Sequence, residues 1–170
     1  MYYADQSGFS EQGYCPYAWQ FADEKVSVPS THGQQINCFG LLARDNRFHF
    51  RTTIKTINTL FLVSFFNDFV MNLTKPTVVI LDNAKIHHSK LFKSWIPYWQ
   101  SKGLFFIYLP PYSPKLNIIE IMWRHIKLRW LKPEDYKDFE TLQLKLQLTL
   151  LAIGKSISIK FNKFNKYNYK

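Results

Sequence analysis

The segment TVVILD, residues 77–82, decides the fold of this chain. Its first five residues are all β-branched or aliphatic, and such an uninterrupted run is typical of a central strand that helices cover on both faces. Asp82 follows at once, so a carboxylate would lie at the C-terminal edge of the sheet, where α/β proteins usually bind their ligands. The segment therefore predicts an α/β domain with a functional edge at Asp82.

Hydrophobic spacing on either side of this strand predicts a mixed β-sheet flanked by α-helices. The Asp-Asn pair at residues 45–46 suits a tight turn between two β-rich runs, which indicates an antiparallel hairpin. Residues 10–32 show no clear period and predict an irregular excursion. Further strands are predicted at residues 1–4, 35–43, 48–54 and 104–109, and helices at residues 56–73, 85–97 and 116–130.

The C-terminal region is less regular. Leucines alternate with polar residues over residues 142–150, which is the pattern of a half-buried strand, but Leu, Gln and Lys favour helices and we expect a helix. Residues 155–170 contain five lysines and no acidic residue. They predict a flexible, solvated tail, with contact to DNA as the alternative. The folded domain is therefore expected to span residues 1–154.

The composition favours a polyanionic partner. The chain has 22 Lys and Arg against 12 Asp and Glu, a formal charge of +10, which attracts nucleic acid or an anionic membrane surface. The longest apolar segment, residues 56–67, is too short and too polar to cross a bilayer, so no membrane span is expected. No secretion signal precedes Asp5, and Cys15 and Cys38 are too few for a disulfide framework. We expect a cytoplasmic protein with buried, unpaired cysteines.

Three carboxylates lie where a site could form. Asp5 follows the first predicted strand, Asp82 follows the central strand, and Glu120 lies in a helix after a proline-rich turn. Converging carboxylates repel each other unless cations neutralise them, and oxygen-only ligands select hard ions such as Mg²⁺ or Mn²⁺. Two such ions would suit an in-line phosphoryl displacement. Aspartates at strand ends are also common caps and turn formers, so position alone leaves a structural role open.

Two motifs carry a resemblance to a known family. They are LDNAKIHHS at residues 81–89 and LPPYSPKLNIIEIMW at residues 109–123, with 37 residues between Asp82 and Glu120. In this order and spacing the chain resembles the DDE transposases of the bacterial insertion-sequence branch of the Tc/mariner superfamily. The second motif is the more specific. The similarity extends loosely over residues 5–154.

The resemblance implies an RNase H-like fold and an enzyme that cleaves DNA at transposon ends and transfers the strands to target DNA. Asp5, Asp82 and Glu120 would be the catalytic residues and the ligands of two Mg²⁺ or Mn²⁺ ions. Asp82 would bridge the ions, and Glu120 would complete one coordination sphere. The family also implies a homodimer on DNA, in a bacterial cytoplasm and associated with the nucleoid.

The chain departs from the family pattern in three places. Gln6 stands where Glu is frequent after the first acid, and Ile118 replaces the usual proline before Glu120. Neither change removes an expected metal ligand. Only four residues precede Asp5, so we expect the N-terminal helix-turn-helix region of full-length relatives to be absent or separately encoded.

Residues near the acids have alternative roles. Asn83 would either orient Asp82 by a hydrogen bond or form the turn that ends the strand. His87 would contact the scissile phosphate or face solvent on a helix. Asn117 is placed to cap the helix that carries Glu120, and Trp123 is expected in the core. A phosphate-tracking face is predicted from four basic residues, Arg124, Lys127, Arg129 and Lys132.

Two rival functions remain open. The chain could be an inactive DNA-binding remnant of a transposase, because the region that recognises the ends is expected to be missing. It could also be another RNase H-like nuclease, such as a junction resolvase or a hybrid nuclease. The SPKLN turn at residues 113–117 argues against the second alternative.

Overall fold

The structure is a computed structural model that describes residues 1–11, 33–110, 113 and 116–161. These residues form a five-stranded sheet with helices on both faces. The strands are β1 (Tyr2–Ser10), β2 (Gln35–Leu42), β3 (Phe48–Thr53), β4 (Thr77–Leu81) and β5 (Leu104–Tyr108). The α-helices are α1 (Thr59–Met71), α2 (Lys90–Ser101), α3 (Ile118–His125) and α4 (Phe139–Ala152).

The sheet is mixed, as the sequence predicted. Its strand order is β3-β2-β1-β4-β5. β2 is antiparallel to both β3 and β1, and β4 is parallel to both β1 and β5. In this register Asp5 lies opposite Gly40 of β2, and Tyr3 lies beside Ile80 of β4. β1 is therefore hydrogen-bonded on both edges, which makes it the central strand together with β4.

Apolar side chains form a core on each face of the sheet. One core lies under α1 and α2 and includes the fully buried Phe66 and Trp99. The other lies under α3 and α4 and includes Ile119 and Leu146. Because side chains alternate along a strand, successive residues of β1 contribute to opposite cores. We call the two sides of the sheet the α1/α2 face and the α3/α4 face.

Polar caps fix where three of the helices begin. Asn58 accepts a hydrogen bond from the Phe61 N–H at the start of α1, and Asp138 does the same for Thr141 at the start of α4. Ser89 caps α2. The choice of a helix over residues 142–150 is confirmed, because α4 spans this region and buries every second leucine of the run.

Several boundaries differ from the sequence expectation. β1 does not end at Ala4 but continues to Ser10, because β2 pairs with it along that whole length. Asp5 is therefore inside a strand. α2 begins only at Lys90, after a 3₁₀ turn, and runs past Pro97 to Ser101. Pro97 has no N–H to donate to the carbonyl four residues earlier in the helix. Pro97 is exposed, so water can hydrogen-bond to that carbonyl instead.

The expected helix at residues 116–130 is also divided. α3 ends at His125, and a single π-helical turn, Ile126–Trp130, follows it. The Leu131 N–H closes that turn on the Ile126 carbonyl at 2.9 Å. Most of the predicted irregular excursion, residues 12–32, lies outside the described residues.

The hairpin turn holds the first part of the C-terminal tail. Asn46 adopts a left-handed backbone conformation with φ 65°. Its side chain donates to the Ile159 carbonyl at 3.1 Å and accepts from the Ile159 N–H at 2.7 Å. Ile159 is buried, so the chain is held against the domain at this residue, whereas Lys155, Ser156, Ser158 and Lys160 are exposed. The flexible tail from Lys155 stays a prediction. Residues 162–170 lie outside the described part.

None of the helices within the described ranges is long and apolar enough to cross a membrane. Cys38 is fully buried on the α3/α4 face, as expected of a small apolar residue. Cys15 is not among the residues described.

Replacing Asn46 with Ala should destabilise the domain by roughly 2–3 kcal/mol, because two hydrogen bonds and a residue that tolerates positive φ are lost together. Asn46→Asp keeps the oxygen that accepts from the Ile159 N–H and also tolerates positive φ. It should therefore destabilise the domain by about half as much as Asn46→Ala. Urea denaturation measures both. A cost for Asn46→Ala below about 0.5 kcal/mol would show that the tail is not held at this turn.

Candidate active site

Asp5 lies in β1, and Asp82 directly follows the neighbouring parallel strand β4. The last β1–β4 pair is Tyr3 with Ile80, two residues before each acid. The ends of the two strands therefore bring the two aspartates near each other. Tyr3 belongs to the α3/α4 core, so by alternation Asp5 emerges on that face.

Glu120 joins them from the helix above this face. It lies in the first turn of α3, which packs against β1. The Asp5 and Glu120 side chains line one open crevice of about 360 Å³, together with Trp123, Arg124 and Lys127. The structure therefore brings together a strand carboxylate, a helix carboxylate and two basic side chains.

The electrostatics of Asp5 show how close the acids are. Burial and the nearby Glu120 carboxylate raise the pKa of Asp5 from 3.8 to about 7, and Asp82 adds to the rise. The Gln6 backbone N–H and the Trp123 indole oppose it. The indole N–H is close enough to lower this pKa, but it makes no hydrogen bond of ordinary geometry within the described residues. A bound cation would offset both the burial and the repulsion that raise this pKa.

The pKa of Asp82 is shifted in the opposite direction to that of Asp5. The Asp82 Oδ1 accepts a hydrogen bond from the Ala84 N–H at 3.1 Å and lies 2.9 Å from Nδ1 of His87. The hydrogen bond to His87 is the main reason that the pKa of Asp82 lies below its usual value. The carboxylate is 46% exposed, so it is ionised and accessible at neutral pH.

His87 is a buried partner of Asp82 rather than a surface residue. Only 3% of it is exposed, which excludes the solvent-facing alternative and leaves no surface for a phosphate. Its ring packs near Phe92, and its carbonyl accepts a hydrogen bond from the Tyr108 hydroxyl at 3.1 Å. Since Nδ1 faces a carboxylate, it carries the proton, and Nε2 has no partner in the described structure. His87 thus fixes where Asp82 points.

The side chains of Asn83 and Asn117 donate hydrogen bonds to backbone carbonyls near the acids. Asn83 donates to the Leu109 carbonyl and so joins the ends of β4 and β5. The described residues show no hydrogen bond from Asn83 to the Asp82 carboxylate, which favours the strand-ending role. Asn117 occupies the cap position of α3, but its side chain does not cap the helix. It reaches the Ala4 carbonyl at 2.9 Å instead and ties α3 to β1 beside Asp5.

Two of the four predicted basic residues line the crevice. Arg124 and Lys127 line the crevice, whereas Arg129 and Lys132 are exposed beyond it. The Lys127 ammonium lies 5.2 Å from the centre of the Phe9 ring. Burial lowers the pKa of Lys127, and Glu120 and Asp5 act in the other direction. Lys127 is therefore a basic side chain that interacts with both Glu120 and Asp5.

Gly40 is a residue that sequence reasoning missed. A Cβ there would lie 2.7 Å from the Phe48 ring and 3.2 Å from the Trp123 ring. The absent side chain lets Trp123, which is in the core as expected, lie against the sheet next to Asp5. The signal in the sequence was a glycine within a predicted strand, which often marks a close approach.

The carboxylate oxygens of Asp5, Asp82 and Glu120 suit hard cations, but they do not form a complete metal site. No three acidic, His or Cys side chains in the described ranges lie close enough to form a complete metal site as they stand. Asp82 is turned towards His87. However, Asp5 and Glu120 repel each other next to it, and all three groups are oxygen donors of the kind that Mg²⁺ and Mn²⁺ prefer. The chemistry of these donors therefore fits such ions, although Asp82 does not line the crevice.

Comparison with solved structures defines the class. The architecture is the RNase H-like fold of transposase and integrase catalytic cores. The Mos1 strand transfer complex matches with a TM-score of 0.59 and 12% identity, over 89% of this chain and 47% of that chain. The BIV integrase catalytic core matches with a TM-score of 0.54 and 17% identity, over 75% of this chain and 80% of that one.

The sequence family is narrower than the fold. The model of the DDE superfamily endonucleases matches residues 1–143, so the chain belongs to that family. A search of curated protein sequences gave no significant match. The chain spans about half the length of the Mos1 transposase chains that it resembles in structure.

Replacing Asp5 with Asn should stabilise the metal-free domain at alkaline pH. The folded-state pKa of about 7 lies above the unfolded value of 3.8, so wild-type stability falls as pH rises between these values. The variant lacks this loss and should exceed the wild type by roughly 1–4 kcal/mol at pH 8, with little difference at pH 4. Urea denaturation in EDTA at both pH values measures it. An equal stability difference between the variant and the wild type at pH 4 and at pH 8 would contradict the raised pKa of Asp5.

Gly40→Ala should destabilise the domain by roughly 1–3 kcal/mol, because the new methyl group overpacks the Trp123 and Phe48 rings. Gly8→Ala is the matched control. A Cβ at Gly8 meets the end of the flexible Gln35 side chain, which can move away. Urea denaturation of both variants should therefore show a clearly smaller effect for Gly8→Ala. Equal effects would mean that Trp123 is not packed on Gly40.

Proposed function

We propose that this chain is the catalytic core of a cut-and-paste DNA transposase, which cleaves DNA at transposon ends and joins the ends to target DNA. The observation that carries the proposal is the crevice in which Asp5 and Glu120 lie together with Arg124 and Lys127, beside Asp82. Membership of the DDE superfamily endonucleases supports the reaction class. The positive charge of +10 supports DNA as the substrate.

Asp5, Asp82 and Glu120 are proposed as the ligands of two Mg²⁺ or Mn²⁺ ions, with Asp82 shared between them. Ions bound there would supply activation of the attacking oxygen and neutralise charge at the phosphorus. The Mos1 paired-end complexes with Mg and with Mn support this choice of ions. His87 would keep Asp82 ionised and aimed, and Asn117 would hold the Glu120 helix on β1.

The basic side chains are proposed to bind the DNA backbone in two zones. Arg124 and Lys127 would contact the phosphates nearest the reacting bond, because they line the crevice. Arg129 and Lys132 would contact phosphates further along the duplex. Transposon-end DNA, target DNA and a second copy of the chain are the proposed partners. A separate N-terminal DNA-binding part would supply recognition of the ends, and the proposed place of action is the bacterial nucleoid.

Replacing Asp82 with Asn should reduce Mn²⁺-dependent nicking of a supercoiled plasmid by at least about 100-fold, because the shared ligand loses its charge. The plasmid should carry the DNA that flanks the gene for this chain. Asp68→Asn is the matched control, since Asp68 is an exposed aspartate paired with Arg51 away from the site. It should nick as the wild type does. Undiminished nicking by Asp82→Asn would refute the proposed site.

Two further measurements separate the rival functions. Calorimetric titration with Mn²⁺ should give a dissociation constant of about 1 mM or lower for the wild type, whereas an inactive remnant would not bind. Linear duplex, four-way junction and RNA/DNA hybrid should then be compared as substrates. Preference for the junction or the hybrid would indicate another RNase H-like nuclease.

A further inference from the structure

Trp123 holds a buried N–H group that has no hydrogen-bond partner in the described part of the chain. The residue is only 3% exposed, so this group is shielded from solvent. Burying a donor without a partner costs free energy, and native domains keep few such groups. An unpaired N–H beside the acids is therefore a candidate for a functional contact.

The packing of Trp123 places its ring next to Asp5. Asp5 and Gly40 are directly opposite each other on β1 and β2, so a side chain at residue 40 would lie beside that of Asp5. A Cβ at Gly40 would be 3.2 Å from Cη2 of the Trp123 ring. The indole therefore occupies the space that the glycine leaves open. Phe9 and Phe48 hold it there through edge-to-face contacts.

The N–H of this ring faces the Asp5 carboxylate. Trp123 and Asp5 line the same crevice as Glu120. Trp123 follows Glu120 by three residues, so the two side chains lie on one side of α3. The indole N–H also opposes the rise in the pKa of Asp5, as a donor directed at the carboxylate does. A donor is thus placed beside the first acid without yet forming an ordinary hydrogen bond to it.

We propose that Trp123 is a positioning residue, whose indole N–H donates to one carboxylate oxygen of Asp5 when the other oxygen binds a divalent cation. A hydrogen bond of this kind fixes the direction of a ligating carboxylate and favours its ionised form. The inference rests on the proposed function, because it takes Asp5 to be a metal ligand. It gives Trp123 a second role besides packing in the core.

The chemistry of indole suits this role. Its Nε1–H group is a donor only, so Trp123 can bind a carboxylate oxygen but cannot itself ligate a cation or take up a proton. It therefore supports Asp5 without competing with it for the ion. The rest of the ring is apolar and excludes water from this side of Asp5, which strengthens a hydrogen bond to the carboxylate.

Trp123→Phe tests the contact, because it keeps an aromatic ring in the core and removes the N–H. Calorimetric titration with Mn²⁺ should give a dissociation constant about tenfold higher than that of the wild type, as is usual when a metal ligand loses a hydrogen bond. Trp95→Phe is the matched control, since Trp95 is partly buried against the core of the α1/α2 face. It should bind Mn²⁺ as the wild type does.

The NMR signal of the Trp123 indole N–H gives a second readout, which needs no variant. The five tryptophans of the wild type are labelled with ¹⁵N and their indole signals are assigned. Adding Mg²⁺ should move the Trp123 signal downfield, because a hydrogen bond to a carboxylate deshields the proton. The Trp95 signal should stay in place. A ring that only fills the core would show no such shift.

Urea denaturation in EDTA separates the contact from packing, because a loss of packing alone would lower the stability of Trp123→Phe without changing its affinity for Mn²⁺. If this variant is unfolded in EDTA, the NMR signal decides. Equal dissociation constants for Trp123→Phe and a wild type that binds Mn²⁺, or a Trp123 signal that Mg²⁺ leaves in place, would overturn the role of Trp123 alone. A wild type that binds neither ion would overturn the proposed function as well.

Discussion

The placing of Asp5 and Glu120 in one crevice is the constraint on which this site depends. β2 pairs with β1 at Asp5, which fixes the backbone of this residue. α3 carries Glu120, and Asn117 ties the start of that helix to the Ala4 carbonyl. The fold itself thus holds the two acids together. Burial and the neighbouring carboxylates raise the pKa of Asp5, and a bound cation would offset both effects.

Asp82 completes this arrangement in a different way. It lies beyond the last residue of β4 and is half exposed, so its carboxylate can rotate. His87 stabilises its charge from below, inside the α1/α2 face. The pKa of Asp5 is therefore raised, whereas the pKa of its neighbour Asp82 is lowered. Carboxylates whose pKa values are shifted in opposite directions by their surroundings are characteristic of functional sites.

The sequence predicted those features that local patterns encode. The apolar run at residues 77–81 is confirmed as a central strand, and the Asp-Asn pair is confirmed as the hairpin turn. Features that depend on distant partners were not predictable. The polar residues after Asp5 form a strand only because β2 pairs with them, and the burial of His87 depends on Phe92 and Tyr108. Asn117 matched a cap in its sequence position, yet its partner lies 113 residues away.

The π-helical turn after α3 has a consequence for how this helix could change through evolution. A π-helical turn closes over five residues where an α-helical turn closes over four, so deleting one residue from Ile126–Trp130 would leave a turn of ordinary α-helical length. Glu120 and Trp123 precede the turn and would keep their places. Leu131 has an extended backbone, so the helix ends there and the change would be confined to the residues of the turn, among them Arg129. A single-codon deletion could therefore move Arg129 without disturbing the acids.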